Sequence, residues 1–99
     1  MTITTKRVTI PVTHKLKILP EYFEAVIKGL KTFEIRKNDR DYKVGDKIVL
    51  REYNGRKYTG REVLAHIRYI TDYEQKEGYV VFSFRKQSIN TKKAESQGY

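Results

Sequence analysis

The residue pattern changes from helix to strand within residues 20–36, PEYFEAVIKGLKTFEIR. Pro20 suits the first turn of a helix, where its missing N–H would be unpaired in any case, and Gly29 suits the position that ends a helix. Apolar residues recur at i, i+3, i+4 and i+7, namely Phe23, Val26, Ile27 and Leu30. This spacing predicts a helix over residues 20–29 whose apolar stripe faces a core.

The next five residues, TFEIR, alternate between polar and apolar side chains. In a strand this alternation places Phe33 and Ile35 on one face and Thr32, Glu34 and Arg36 on the other. We expect Phe33 and Ile35 to pack in the core, which leaves the polar face available to a ligand.

Strand patterns also occur at residues 14–18, 47–53, 61–70 and 79–84. In the first of them Leu16 and Ile18 are expected to face the core and His14 to lie elsewhere. Asn54-Gly55 predicts a hairpin turn, and residues 8–12, which contain Pro11, suggest an edge strand or extended arm.

These elements predict an α+β, mostly β fold, a small and largely antiparallel barrel with the early helix packed at its end. We expect three regions: an N-terminal arm or edge strand over residues 1–13, one domain over residues 14–84, and a basic flexible tail over residues 85–99.

Composition narrows the classes of function. The 99 residues suit one domain, and the absence of cysteine excludes disulfides and thiolate chemistry. Two histidines, His14 and His66, are too few for a zinc site, so we expect no metal and no cofactor. A chain without a signal-peptide pattern or a membrane span is expected to be soluble and cytoplasmic. The 21 Lys and Arg against 12 Asp and Glu give a net charge of +9, which favours polyanions such as RNA or DNA as partners.

Charged and polar residues are concentrated directly after the helix: Lys31, Glu34, Arg36, Lys37, Asn38, Asp39, Arg40 and Asp41. On a shared strand face, the Glu34 carboxylate can accept from amino or hydroxyl groups and the Arg36 guanidinium can bind a phosphate bidentately. Spacing alone favours the alternative that Glu34 and Arg36 form a cross-strand ion-pair lattice on a solvated face, which stabilises little.

The spacing Gly29-x-Lys31-x-x-Glu34-x-Arg36, followed by the Gly45-Asp46 turn, resembles the G-x-K-x-x-E-x-R signature of ASCH (activating signal cointegrator homology) domains, which are relatives of the PUA RNA-binding domain. Residues 14–46, 58–62 and 77–81 are similar to a bacterial and phage family of ASCH-like domains of unassigned function, the DUF3850 type. The resemblance spans roughly residues 14–84. It implies a PUA-like β-barrel with a cleft between helix and barrel, lined by Lys31, Glu34 and Arg36, and a role in RNA binding.

The resulting hypothesis is a non-catalytic module that binds RNA or a nucleotide-like ligand in a basic cleft. The expected ligand-binding residues are Lys31, Glu34, Arg36, Lys37, Arg40, Tyr42 and Lys43. Four tyrosines are candidates for base stacking, although each also suits barrel packing: Tyr42, Tyr53, Tyr58 and Tyr69. The sequence leaves the oligomeric state open.

An enzymatic alternative comes from small bacterial ASCH proteins that resemble amidohydrolases acting on N4-acylated cytidine. If the chain is such an enzyme, the catalytic candidates are Lys31, Thr32 and Glu34. Lys31 fits the lysine position of those proteins, but Glu34 stands at the position of the threonine nucleophile. A third alternative, a protein-interaction module, rests only on the basic tail and the N-terminal arm.

Overall fold

A five-stranded sheet and one short helix make up the structure, a computed structural model that describes residues 10–92. The elements follow the chain as β1 (Thr13–Ile18), α1 (Pro20–Ile27), β2 (Phe33–Lys37), β3 (Lys47–Tyr53), β4 (Tyr58–Thr71) and β5 (Tyr79–Asn90). The predicted α+β, mostly β class is confirmed. Within residues 10–92 no helix has the length and apolar character that crossing a membrane requires.

The sheet curls into a half-barrel with the strand order β1-β3-β4-β5-β2. β1 pairs with β3 in parallel, and the other three neighbouring pairs are antiparallel. β1 and β2 are therefore the two edges of the sheet.

The Asn54-Gly55 hairpin joins β3 to β4 as predicted. The Asn54 side chain accepts hydrogen bonds from the backbone N–H groups of Arg56 and Lys57, and Gly55 takes a positive φ of 99°.

The core fills the concave side of the sheet and the inner face of α1. Its largest fully buried side chains are Phe23, Phe82, Ile48, Leu50, Ile67, Val26 and Val63. β1 contributes Leu16 and Ile18, and His14 is buried on the same face. The expectation that His14 lies elsewhere is wrong, because a period of two puts residues 14, 16 and 18 on one side of a strand.

The helix ends two residues earlier than predicted, and its end explains why Leu30 is outside the core. Gly29 adopts a φ of 76°, and the N–H groups of Leu30 and Gly29 donate to the carbonyls of Ala25 and Val26 at 2.9 and 3.0 Å. This is the Schellman arrangement, which reverses the chain after the last helical turn. Leu30, predicted to lie in the apolar stripe, is instead 78% exposed.

β5 is longer than its apolar pattern indicates. It continues to Asn90 and pairs with β4 as far as Glu62, so residues 85–90 are strand and the prediction of a tail starting at residue 85 is wrong there. The extension carries mostly polar residues because it is exposed, which removes the alternation that marks a half-buried strand. Residues 10–12 form no strand, and residues 1–9 and 93–99, the rest of the predicted arm and tail, lie outside the described residues.

Two basic side chains hold α1 against the sheet. Lys86 donates to the carbonyls of Val26 and Ile27 at 3.0 and 3.1 Å, and so caps the carboxyl end of the helix. Arg61 lies 4.7 Å from the ring centroid of Phe23, pairs with Glu24, and donates to the buried Glu52 at 2.9 Å. Hydrogen bonds that Arg61 donates to Glu24 and Glu52 raise its pKa, so the guanidinium stays charged.

A buried carboxylate anchors the loop between β2 and β3. Asp46 accepts hydrogen bonds from the backbone N–H groups of Val12 and Lys43, and one of its oxygens lies 2.7 Å from Nε2 of His14. Burial works to raise the pKa of Asp46, but these hydrogen bonds, from His14 first, outweigh it and hold the pKa below its ordinary value. Asp46 thus ties β1, the loop and β3 together.

Asp46→Asn is expected to lower the free energy of unfolding near pH 7 by about 1–3 kcal/mol, because a buried hydrogen-bonded charge is lost. A lowered folded-state pKa means that the carboxylate stabilises the fold above the ordinary carboxyl range and that this contribution disappears as the pH falls through the folded-state pKa. In urea unfolding, the gap between wild type and variant should therefore shrink below about pH 4. The exposed Asp72→Asn serves as control, and a gap that is the same in acid as at neutral pH would contradict the assignment.

Candidate functional site

An open cleft of about 550 Å³ lies where the end of β1 and the start of α1 face β2. We call it the first cleft. Its lining residues are Lys17, Ile18, Leu19, Tyr22, Lys31, Phe33, Glu34, Ile35 and Arg36. The structure thus brings together the three polar residues of the spacing motif, Lys31, Glu34 and Arg36.

The floor of the first cleft is a carboxylate between two cations. Glu34 is only 5% exposed, and its Oε2 accepts a hydrogen bond of 2.7 Å from Nε of Arg36. The Lys31 ammonium pairs with Oε1 of Glu34 and also donates to the carbonyl of Phe33 at 2.7 Å. Two cations against one anion leave the floor with a net positive charge.

Arg36 also connects the two edges of the sheet. Its Nη2 donates to the backbone carbonyl of Lys17 in β1 at 2.6 Å. Within residues 10–92 no backbone ladder joins β1 to β2, so this side chain spans the gap that the strands leave open. These two hydrogen bonds use Nε and Nη2 of Arg36 and do not engage its Nη1.

The two faces of β2 are oriented opposite to the expectation, with the polar face inward and the apolar face outward. Phe33 and Ile35 are 42% and 55% exposed, whereas Glu34 is buried, so the prediction that the two apolar residues hold the core is wrong. Alternation defines two faces but does not say which one points inward. Here the inner face carries Glu34 because Lys31 and Arg36 compensate the buried charge.

The rim of the first cleft is apolar and aromatic. Leu19 and Tyr22 are exposed, and the Lys31 ammonium lies 5.9 Å from the ring centroid of Tyr22 and 5.1 Å from that of Phe33. Sequence reasoning did not select Leu19 or Tyr22 as site residues. The position of Tyr22 was the available signal. It is an aromatic residue in the first turn of the helix, beside the apolar core stripe, and this helix leads into the motif.

A second cleft of about 290 Å³ adjoins the first. Its lining residues are Leu16, Ile35, Arg36, Lys37, Asp39, Arg40, Tyr42 and Tyr79. Of the predicted ligand-binding residues, Lys37 and Arg40 are therefore here, while Lys43 lines neither cleft and lies 3.2 Å from Asp41.

Tyr42 is a core residue and offers no platform for stacking. It is 5% exposed, and its ring packs against His14 and Phe82 at centroid distances of 4.8 and 4.9 Å. Burial raises the pKa of its hydroxyl. The proposed stacking role of Tyr42 is therefore wrong, although the residue is part of the lining of the second cleft.

The other three tyrosines named from the sequence do not line the first cleft. Tyr53 and Tyr58 pack against each other at 5.2 Å, with the Arg51 guanidinium 3.8 Å from the Tyr58 centroid. The Lys17 ammonium lies 4.5 Å from the Tyr53 centroid. Tyr69 is exposed elsewhere on the sheet.

Thr32, one of the catalytic candidates, is exposed and does not line the first cleft. Its backbone carbonyl accepts the N–H of Phe84 at 3.1 Å, which holds this part of the chain against β5. Lys31 and Glu34, the other two candidates, are in direct contact on the cleft floor.

Glu34→Gln is expected to lower the free energy of unfolding by about 2 kcal/mol, because Lys31 and Arg36 lose the charge that compensates them in a partly buried site. Urea unfolding at neutral pH measures the change. Glu77→Gln, at an exposed carboxylate, is the matched control and should leave stability nearly unchanged. Equal effects of the two substitutions would show that the floor of the cleft is not a coupled ionic cluster.

Comparison with known proteins places the chain in a family. A family model described as a domain of unknown function (DUF3850) matches residues 13–84. An uncharacterized 12.9 kDa protein in the GpA 3′ region of Escherichia phage P2 is 42% identical over 59 residues, which are 60% of this chain and 54% of that protein. The chain thus spans about half the length of this curated relative. Because the family model covers well over half of the sequence, the chain belongs to the DUF3850 family of domains of unknown function.

Proposed function

We propose that the first cleft binds a nucleotide, either free or as part of single-stranded RNA. The observation that carries the proposal is an aromatic rim, Tyr22 and Phe33, over a positively charged floor that contains one buried carboxylate. A nucleotide has complementary parts: a flat base whose edge carries N–H donors, and an anionic phosphate.

The contacts of such a ligand follow from the chemistry of the lining. A base stacks on the ring of Tyr22 or Phe33, and the carboxylate of Glu34 accepts from an N–H group on the edge of the base, such as N3–H of uracil. The phosphate is bound by the guanidinium of Arg36, which lies at the gap between β1 and β2. Lys31 stays on the floor as the partner of Glu34 and adds positive potential.

The net charge of the chain and its resemblance to ASCH domains also support the proposal of nucleotide binding. The net charge of +9 attracts polyanions at long range. The G-x-K-x-x-E-x-R spacing resembles the ASCH signature, and we propose that the curled half-barrel is an ASCH-type, PUA-like domain, a class for which RNA binding is the inferred role.

Binding to an oligouridylate of about ten nucleotides is expected to weaken steeply with salt, because phosphate contacts release counterions. Tyr22→Ala should reduce affinity about tenfold through the lost stacking surface, while Tyr73→Ala, an exposed tyrosine outside the cleft, should change it less than about twofold. Fluorescence anisotropy at two salt concentrations measures both effects. The absence of binding at low salt would refute the proposal.

A second candidate function is hydrolysis of an N4-acylated cytidine. It is favoured by one observation, the direct contact of Lys31 and Glu34 beside the aromatic rim, which offers a pair of groups for proton transfer. The placement of Thr32 outside the lining removes the hydroxyl nucleophile from the site. Binding without catalysis is therefore the function that the geometry supports better.

Incubation with N4-acetylcytidine is expected to release no cytidine above the uncatalysed background, since no serine, threonine or cysteine among the described residues 10–92 lines the first cleft. Chromatography of the nucleoside products is the measurement. Release that disappears in both Lys31→Ala and Thr32→Ala, with both variants folded by circular dichroism, would establish the enzymatic function instead.

A further inference from the structure

We infer that the ligand of the first cleft extends into the second cleft, so that the site recognises at least two linked nucleotides. This inference rests on the proposed function and specifies its ligand class. It comes from the way in which the two clefts adjoin each other along β2.

The two clefts share a wall made of Ile35 and Arg36. Ile35 is exposed and lines both clefts, so the two lie side by side at the surface. Arg36 is fixed at that boundary, because Glu34 holds its Nε and the Lys17 carbonyl holds its Nη2. A guanidinium fixed between two adjoining clefts is placed to bind the phosphate that links two nucleotides.

The second cleft has the chemistry of a phosphate site rather than a base site. Lys37 and Arg40 line it together with the single carboxylate of Asp39. Its tyrosines present little open ring surface, since Tyr42 is buried and Tyr79 is half-buried. A cleft with cations but little exposed aromatic surface binds the phosphate backbone of the ligand rather than a base.

The loop that carries Arg40 is held at both ends before any ligand arrives. The N–H of Asn38 donates to the Gly78 carbonyl at 2.8 Å, and the Asn38 side chain accepts from the N–H of Tyr42 at 3.0 Å. Asp46 anchors the far end of the loop through the N–H of Lys43. A loop fixed in this way loses little conformational entropy when it binds.

The binding path along the two clefts is expected to end at the second cleft. Beyond Tyr79 the next concave surface, about 360 Å³, is lined by Asp72 and Glu77 together with Lys76. Two carboxylates against one ammonium disfavour a further phosphate. The structure therefore predicts a site for two nucleotides rather than a long groove.

Titration calorimetry with UMP, pUpU and pUpUpU tests the inference. We expect pUpU to bind about tenfold more tightly than UMP, and its affinity to fall more steeply with salt, by about 0.7 in the log–log slope for each added phosphate contact. The third nucleotide should improve affinity by less than about threefold, because the path ends. Arg40→Ala should remove most of the advantage of pUpU and leave the affinity for UMP nearly unchanged.

Arg68→Ala is the matched control. Arg68 is an exposed arginine that lines a separate groove with His66 and Arg85, so its removal changes the net charge equally without touching either cleft. Equal losses from Arg40→Ala and Arg68→Ala would overturn the inference, and so would UMP and pUpU binding with the same affinity. Those outcomes leave the proposed nucleotide binding intact, whereas no binding of any of the three ligands would refute both.

Discussion

The ion cluster of Lys31, Glu34 and Arg36 is the interaction on which the rest of the structure depends. A five-stranded sheet that curls this far brings its edge strands close without pairing them, and Arg36 spans the remaining gap to the Lys17 carbonyl. The guanidinium takes that position because Glu34 holds its other side. One buried carboxylate therefore sets both the closure of the half-barrel and the floor of the first cleft.

Other buried polar groups of the domain act in the same manner, each joining elements that are distant in the chain. Asp46 joins β1, the loop and β3, and Arg61 joins α1 to β3 and β4 through Glu24 and Glu52. A domain of this size has a small core, so hydrogen-bonded polar contacts of this kind matter for the orientation of its elements. The helix, the loop and the edge strands that surround the two clefts are all positioned by them.

Membership of the DUF3850 family gives the chain relatives but no assigned activity. The charge, burial and contacts of the residues that line the clefts are therefore the best guide to function. The proposal of a short single-stranded nucleic acid as the ligand rests on the positively charged floor, the aromatic rim and the adjoining cationic cleft, and it assigns a different part of that ligand to each cleft.

By itself the sequence determined the type and order of the elements. Local signals were sufficient for this, because Pro20, Gly29 and Asn54-Gly55 act within a few residues, and the charge clustered after the helix marked the region of the cleft. Tertiary structure alone decided which face of β2 points inward, that Leu30 leaves the core, that Tyr42 enters it, and that β5 runs on to Asn90. Alternation in a strand is symmetric between its two faces, and a buried glutamate is acceptable only when cations from elsewhere in the fold compensate it. The identity of those partners is a property of the folded sheet, where Lys31, Glu34, Arg36 and the carbonyl of Lys17 meet.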